Sequence, residues 1–470
     1  MQPIEHDPLS AEFITLLQQR AQHPYKLVRT LFDPETPITV ARAPGRLDLM
    51  GGIADYSGSL VLQWPLREAA HVGLQKSAES TLRIVTLNPA RNESDAACQI
   101  QFSSLLNATY AQARDTFRQM PTINWAAYIA GVFLVLATEE NVRFTGGANL
   151  LIDSTVPEGK GGSSSAALEV AVMRAVCAAY GIEISAERQA ILCQMVENYV
   201  VGAPCGIMDQ MSVMLGQENR LLALLCQPAI VQGTLPLPDG LAVWGIDSGI
   251  RHAVSGADYG SVRVGAFMGF RIIRELTERD WGGYLANVPP SYFEQHLRDQ
   301  IPVTMLGAHF LAQYGETGDR VTTVDPDQWY AVRQPTAHPI YEHFRVQTFA
   351  QLLAGDPHQN GPLCNGPLHN GPLLGELMFQ SHASYSACGL GSEGTDRLVA
   401  LARAAGVARG IYGAKITGGG SGGTVAILGR QGEDEVVREI AERYSAETGR
   451  PTYVFSGSSS GSAHAVICSV

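Results

Sequence analysis

The sequence has too little positive charge for a surface that meets polyanions. It holds 33 lysines and arginines against 45 aspartates and glutamates, a formal charge of −12. Nucleic-acid and anionic-membrane surfaces need basic patches. A nucleotide would therefore have to be met locally, by a few cations, a helix N-terminus or a metal ion. No apolar run approaches the roughly 20 residues that span a bilayer. The start, M-Q-P-I-E-H-D-P, lacks the basic and apolar regions of a secretion signal. The eight cysteines include no C-x-x-C pair, and several sit in apolar helical stretches, the pattern of reduced thiols. A cytoplasmic protein is expected. The Walker pattern G-x-x-x-x-G-K-[ST] is also missing, because Lys160 lies between glycines and no Ser or Thr follows it. His358, Cys364 and His369 lack a second cysteine and a conventional spacing, so a loop is expected there and not a metal site.

Glycine is plentiful, with 49 among 470 residues, and the length suggests two lobes. We divide them near Pro236, into 1–236 and 237–470, with a turn-rich insertion near 355–375 that contains an N-G-P-L repeat. The chain is organised around Val156–Glu169. Gly159, Gly161 and Gly162 allow close backbone approach, Ser163, Ser164 and Ser165 suit a helix start, and together they suggest a phosphate cradle at a helix N-terminus. The apolar run Ala166–Ala179 continues as a central helix that stops at Gly181. Upstream, Thr39–Ala43 reads as a strand broken by Pro44-Gly45, followed by a loop carrying Arg46, Asp48, Asp55 and Tyr56. Val61–Leu66 and Ala70–Leu74 read as two paired strands, and Ala148–Ile152 as another.

Helices are expected over 10–31, over Trp125–Leu136, after Ser185 (with Glu197 near its end) and from Gly206–Gln210 onward. Leu221–Leu225 and Leu241–Ile246 are strand-like. A helix containing Tyr259 and Arg263 follows, then a mostly helical stretch from 281 to 327. Ser381–Tyr385 precedes a helix over 395–405. Gly418, Gly420, Gly423 and Val425 match the protein-kinase glycine-loop expression, but neither H-R-D nor D-F-G occurs in the chain. A strand follows at Thr424–Leu428 where a Rossmann turn would open a helix. Both readings fail.

Four segments in order carry a family resemblance. They are Ala43-Pro44-Gly45-Arg46 with Asp55-Tyr56, then P-E-G-K-G-G-S-S-S-A-A, then Gly202-x-Pro204-Cys205-Gly206-Ile207-Met208-Asp209-Gln210, and finally Lys415-x-Thr417-Gly418-Gly419-Gly420. They resemble the signatures of the GHMP small-molecule kinases, named for galactokinase, homoserine kinase, mevalonate kinase and phosphomevalonate kinase, and within them the sugar branch. The resemblance covers the chain apart from about 281–375. It implies an α/β (α+β) fold with an N-terminal lobe of mixed sheet and helices, a ferredoxin-like C-terminal lobe and an active site between them. ATP and Mg²⁺ are the implied cofactors and a small-molecule sugar the partner, with neither nucleic acid nor membrane, in a monomer or homodimer.

By the same resemblance Asp209 orients or deprotonates the sugar hydroxyl. Arg46 neutralises the transferring phosphoryl group and holds Asp209 ionised. Read alone, the two are a helix cap and a surface arginine. Ser165 and Glu197 match the Mg²⁺ ligands. Gly159, Gly161, Gly162, Ser163 and Ser164 match the phosphate cradle, with Lys160 an additional cation there. Asp55, Tyr259 and Gly206 match the sugar site, and Gly419 and Gly420 close around sugar and phosphate. Trp125 borders the adenine or packs in the core.

One departure bears on the substrate. Galactokinases carry G-E-H-T-D-Y where this chain has Gly51-Gly52-Ile53-Ala54-Asp55-Tyr56. That glutamate lies near the hydroxymethyl group of the sugar, and L-arabinose is D-galactose without it. A site that loses the partner of a hydroxyl suits a substrate lacking the hydroxyl. The expected corner at Gly52 and Ile53 is vacant. G-G-I-A-D-Y-S-G-S-L-V-L-Q and Ser386–Leu398 also resemble the arabinose-phosphorylating plant members of the branch. Those carry an added glycosyltransferase-like half, which is not expected here. L-arabinose phosphorylation is expected, with D-galactose as the alternative. A non-catalytic sugar sensor would have lost Asp209, Arg46 or the serine loop, and all are intact.

Overall fold

A computed structural model describes residues 8–88, 95–251, 259–355, 370–465 and 467–470. His358, Cys364, His369 and most of the N-G-P-L repeat lie outside the described residues.

The first sheet is built on two long strands, β1 (Thr39–Met50) and β2 (Leu60–Lys76), paired antiparallel. Nearly every residue of β1 is buried, because protein covers both faces of the sheet. The expected break at Pro44-Gly45 is instead a bulge, after which the ladder resumes at Arg46 opposite Pro65. Proline has no N–H to give a ladder, so a bulge is where an interior strand tolerates it. For the same reason the two strands expected over 61–74 are one strand, bulged opposite Pro44.

The sheet continues with β3 (Thr81–Thr86), β4 (Ala97–Gln101), β5 (Ala148–Ser154), β6 (Arg220–Leu225) and β7 (Ile230–Pro236). A second sheet holds β8 (Leu241–Asp247), a small hairpin pairs β9 (Thr304–Leu306) with β10 (Trp329–Ala331), and the second sheet resumes with β11 (Ile411–Ile416), β12 (Thr424–Arg430) and β13 (Tyr453–Ser456). The last strand, β14 (Cys468–Ser469), returns to the first sheet beside β1. Strand order in the first sheet is β14-β1-β2-β5-β3-β4, with β6 also on β2 and β7 on β6; the β3–β5 pair is parallel, so this sheet is mixed. The second runs β11-β12-β8-β13, all antiparallel, with helices between β8 and β11 and between β12 and β13. That is the ferredoxin-like arrangement.

The helix Ser164–Tyr180 packs on one face of the first sheet and ends at Gly181 in the left-handed region, φ 66°. The opposite face is covered by Arg333–Ala354 and Gly371–Ala387, whose Val346, Phe349, Leu374 and Met378 meet Leu47, Leu49 and Leu62 of β1 and β2. Ser381–Tyr385 lies inside this second helix, and the helix expected over 395–405 follows it as Glu393–Ala405. The stretch from Trp281 is a series of short helical turns and the β9–β10 hairpin around Phe293 and Phe310, less helical than expected. The first helix is also split, into Ala11–Gln18 and Lys26–Arg29, with Pro24 between them. Trp125 lies in the core under the helix Ala127–Glu139. Among the described residues no helix is long and apolar enough to cross a membrane.

Candidate active site

The bulge in β1 is the seat of the glycine-serine loop over 159–165. A Cβ on Gly45 would stand 2.6 Å from the Gly162 carbonyl, and the Arg46 N–H donates to that same carbonyl at 3.1 Å. Glycine is required here by close approach. Arg46 is almost wholly buried. Its Nε and Nη2 both donate to Asp209 Oδ1, at 2.9 and 2.7 Å, and its Nη1 donates to the Gly161 carbonyl at 2.7 Å. The other carboxylate oxygen, Asp209 Oδ2, accepts from Ser163 Oγ at 2.5 Å. Ser163 precedes the first helical residue at φ 57° but makes no side-chain cap, because its hydroxyl is turned to Asp209. An expected phosphate-cradle serine thus also holds the carboxylate. Asp209, in the first turn of the helix Met208–Leu215, keeps its side chain 23% exposed toward a cavity of about 470 Å³.

Arg46, Asp55, Gly206, Asp209, Tyr259 and Gly419 all line that cavity, as does Glu197. Gly420 does not line it: at φ 77° it packs against Leu390. Ile53, one of the two replaced residues, shares the wall, as do Met208, Gly418 and Ser421, which lie in or beside the quoted motifs but were given no role.

Asp55 is the acceptor at the cavity wall. Gly206 abuts its Oδ2 so tightly that any Cβ there would overlap it, while its Oδ1 is buried without a hydrogen-bond partner among the described residues. Burial, then the charge of Asp209, pushes the Asp55 carboxyl up to about 7, partly offset by Arg263. A buried acceptor left open beside a cavity suits a ligand hydroxyl.

Glu197 lies on a π-helical turn, Val196–Val201, a local widening that recurs at functional sites. Its Oε2 accepts from Gln210 Nε2 at 2.8 Å, and the Ser165 hydroxyl also bonds its carboxylate. Burial and Asp209 raise Glu197 to about 7 against these hydrogen bonds. Among the described residues no group of three or more His, Cys, Asp and Glu is placed to hold a metal ion. The chemistry of Ser165 and Glu197, a hydroxyl beside a carboxylate, fits a hard cation that takes its remaining ligands from phosphate and water.

Lys160 departs from expectation. Its ammonium sits 2.5 Å from Asp247 Oδ2 at the end of β8, and its carbonyl accepts from Thr424 Oγ1 at 2.5 Å. Asp247 neutralises the expected phosphate-loop cation, which ties that loop to the second sheet.

The corner at Gly52 is not vacant. The Gly52 N–H donates to Asp48 Oδ2 at 3.1 Å, and a Cβ there would overlap that carboxylate and the Tyr385 hydroxyl. Tyr385 donates to the Gly418 carbonyl at 3.0 Å, and Lys415 Nζ lies 2.6 Å from Asp48 Oδ2 with both side chains out of water. His338 Nε2 lies 3.0 Å from the Gly52 carbonyl, which can only accept, so this nitrogen carries the proton and Nδ1 accepts from Ser384 at 2.7 Å. Glu342 accepts from the Gly51 N–H at 3.1 Å. Of the two replaced residues, only Ile53 reaches the cavity. The signal for this network was charge in an apolar strand: Asp48 within β1 and Lys415 within β11 cannot be buried unpaired.

This two-sheet fold, with a glycine-serine loop, a buried arginine and a partly exposed aspartate meeting at one cavity, is that of a small-molecule kinase, and the chain belongs to the GHMP kinase family. Residues 127–217 match the GHMP kinases N terminal domain and 363–446 the GHMP kinases C terminal. The chain is 44% identical to an L-arabinokinase of Arabidopsis thaliana over 92% of its own length, and it spans about half, 46%, of that relative. It is 32% identical to a galactokinase of Chloroflexus aggregans, over 88% of this chain and 90% of the relative. In structure it is similar to Lactococcus lactis galactokinase complexed with galactose, with a TM-score of 0.73 at 18% identity over 96% of this chain and 99% of that one. Methanococcus jannaschii mevalonate kinase shares the fold at a TM-score of 0.57 and 13% identity, over 90% and 99% of the two chains.

Proposed function

We propose that the protein is an ATP-dependent sugar 1-kinase that phosphorylates L-arabinose at its anomeric hydroxyl, releasing ADP. The observation that carries the reading is the grip of Arg46 and Ser163 on the two oxygens of Asp209 at the cavity edge. A carboxylate held by a guanidinium and a hydroxyl, and still in reach of the cavity, is placed to take a proton from a bound alcohol.

A sugar in the cavity would present hydroxyls to Asp55 Oδ1 and to Tyr259. Asp209 would take the proton of the anomeric hydroxyl as its oxygen forms the new bond to the γ-phosphorus and the bond from that phosphorus to the ADP oxygen breaks. Arg46, beside both Asp209 and Gly161 of the phosphate loop, would offset the charge of the transferring group. Gly159, Gly161, Gly162 and Ser164 would approach the phosphates through their backbone. Ser165 and Glu197 would hold Mg²⁺, which supplies charge neutralisation between the phosphates.

L-arabinose is favoured over D-galactose by the higher identity to an L-arabinokinase and by Ile53, an apolar side chain in the cavity wall where the galactokinase signature carries histidine. Identity to a galactokinase over 90% of its length keeps D-galactose as the second reading. The test is ADP release by the purified protein with Mg²⁺-ATP and L-arabinose, D-galactose or no sugar. Faster turnover of galactose overturns the arabinose reading, and no turnover with either overturns the kinase reading.

A further inference from the structure

The helix Tyr259–Thr277 brings Tyr259 to the cavity and, one turn later, carries Arg263, which is 5% exposed and does not line the cavity. Its guanidinium lies 5.2 Å from the ring centre of Tyr56 and 5.1 Å from that of Phe267. The Tyr56 ring in turn meets Tyr259 edge-on, 5.8 Å between centres. Two polar contacts fix the guanidinium from the far side. Nε donates to Thr322 Oγ1 at 3.1 Å and Nη2 to Asp319 Oδ2 at 3.0 Å, while Nη1 has no hydrogen-bond partner among the described residues.

Asp319 and Thr322 belong to the connection between the helix Gly307–Tyr314 and β10, a region to which no sequence motif gave a role. A buried arginine must be paired and its contacts satisfied, or its desolvation goes uncompensated. Here one carboxylate and one hydroxyl hold it, and two aromatic faces receive it. Tyr56 follows Asp55 directly, so whatever fixes the Tyr56 ring also fixes the backbone from which Asp55 projects. The carboxylates around Asp55, Asp209 and Asp48, repel its charge, and Arg263 is the cation that opposes them.

We propose that Arg263, clamped by Asp319 and Thr322, is a positioning residue for the sugar end of the site: it fixes the rings of Tyr56 and Tyr259 and supplies the counter-charge for Asp55. The connection over 315–328 thereby becomes part of sugar recognition although it does not line the cavity. This deepens the sugar-kinase reading and rests on its assignment of Asp55 and Tyr259 as sugar contacts.

Steady-state kinetics of Arg263→Gln, Arg263→Lys, Asp319→Asn and Thr322→Val test the proposal, with L-arabinose and ATP varied separately and thermal melting run in parallel. The expected result is a sugar KM raised about tenfold or more in Arg263→Gln and severalfold in Asp319→Asn and Thr322→Val, with ATP KM within about twofold of wild type. Arg263→Lys keeps the charge but loses the planar fork, and should recover part of the loss. Equal rises in both KM values, or lower melting temperatures with an unchanged sugar KM, would overturn it by leaving Arg263 a structural role alone. If Arg263→Gln does not fold, the less buried Asp319 and Thr322 variants decide by the same criterion. The underlying reading fails separately, through a wild-type enzyme that turns over no sugar or an Asp55→Asn variant with unchanged sugar KM.

Discussion

The hydroxyl of Tyr385 and the carboxylate of Asp48 together occupy the space into which a side chain at Gly52 would grow. Gly52→Ala should therefore cost about 1–3 kcal/mol through overpacking, read as a lower melting temperature. Gly52→Glu should yield little folded protein and not a galactose-preferring enzyme. Trimming the opposing hydroxyl in a Gly52→Ala, Tyr385→Phe double variant should restore part of the loss. A Gly52→Glu protein that melts like wild type would show that the corner can open.

The grip on Asp209 predicts unequal losses. Asp209→Asn should lower kcat about 10²–10⁴-fold, the range of a general base, with ATP KM little changed. Arg46→Ala should cause a comparable loss, and the double variant should fall no further than the worse single one, because the two act as a unit. Ser163→Ala, which frees only Oδ2, should cost about tenfold in kcat. An additive double variant would mean that Arg46 works independently of Asp209.

On the proposed function, Asp55 ties sugar binding to a cost in stability. Its carboxyl titrates near 7 in the folded protein against 3.8 ordinarily, since burial and Asp209 oppose its charge. Between about pH 4 and 7 the unfolded chain has released this proton while the folded protein keeps it. Folding thus weakens as pH rises through that window and stays weakened above it. Asp55→Asn should stabilise the protein at pH 8 by roughly 1–4 kcal/mol, with no gain at pH 4, while abolishing sugar turnover. Thermal melts at the two pH values check both halves.

Lys160 and Asp247 should behave as a pair. Lys160→Met and Asp247→Asn are each expected to loosen the phosphate loop and raise ATP KM a few-fold. The double variant should resemble the singles, with a coupling of about 1 kcal/mol. A loss confined to Lys160→Met would assign the ammonium to the phosphates.

The central helix, its stop at Gly181, the Ser185 cap and the β12 strand were legible because each has a local cause: apolar content, a left-handed glycine or a hydroxyl N-cap. The strand through Pro44 was misread because a proline and a glycine usually end a strand. What keeps this one going is a long-range event, the docking of Gly162 against Gly45. Helices Arg333–Ala354 and Gly371–Ala387 were missed because Pro339 and scattered polar residues, among them His338, Glu342 and Ser381, hide their apolar face. Those polar groups bond across the fold, and Glu342 also pairs with Arg345 along its own helix.

Arg46, Asp55, Asp209, Tyr259 and Glu197, which the fold brings to one cavity, could be singled out because the family resemblance reaches their positions. Asp48, Tyr385, Arg263 and Asp319 were not, because each acquires its role from a partner far away in sequence. Gly420 shows the reverse error, a glycine inside a functional motif whose freedom serves packing against Leu390.

The contacts that shape the turn after β1 also constrain the order in which this molecule can be made. Gly51 waits for Glu342, 291 residues later, and Asp48 for Lys415, 367 residues later. Closing such long loops is slow, and few local contacts offset its entropy beforehand. During synthesis the first sheet must persist with one face uncovered and Asp48, held only by Gln63 and the Gly52 N–H, without its cation until both late helices and β11 arrive. Fragments that stop short of Lys415 should therefore be aggregation-prone intermediates, not smaller kinases.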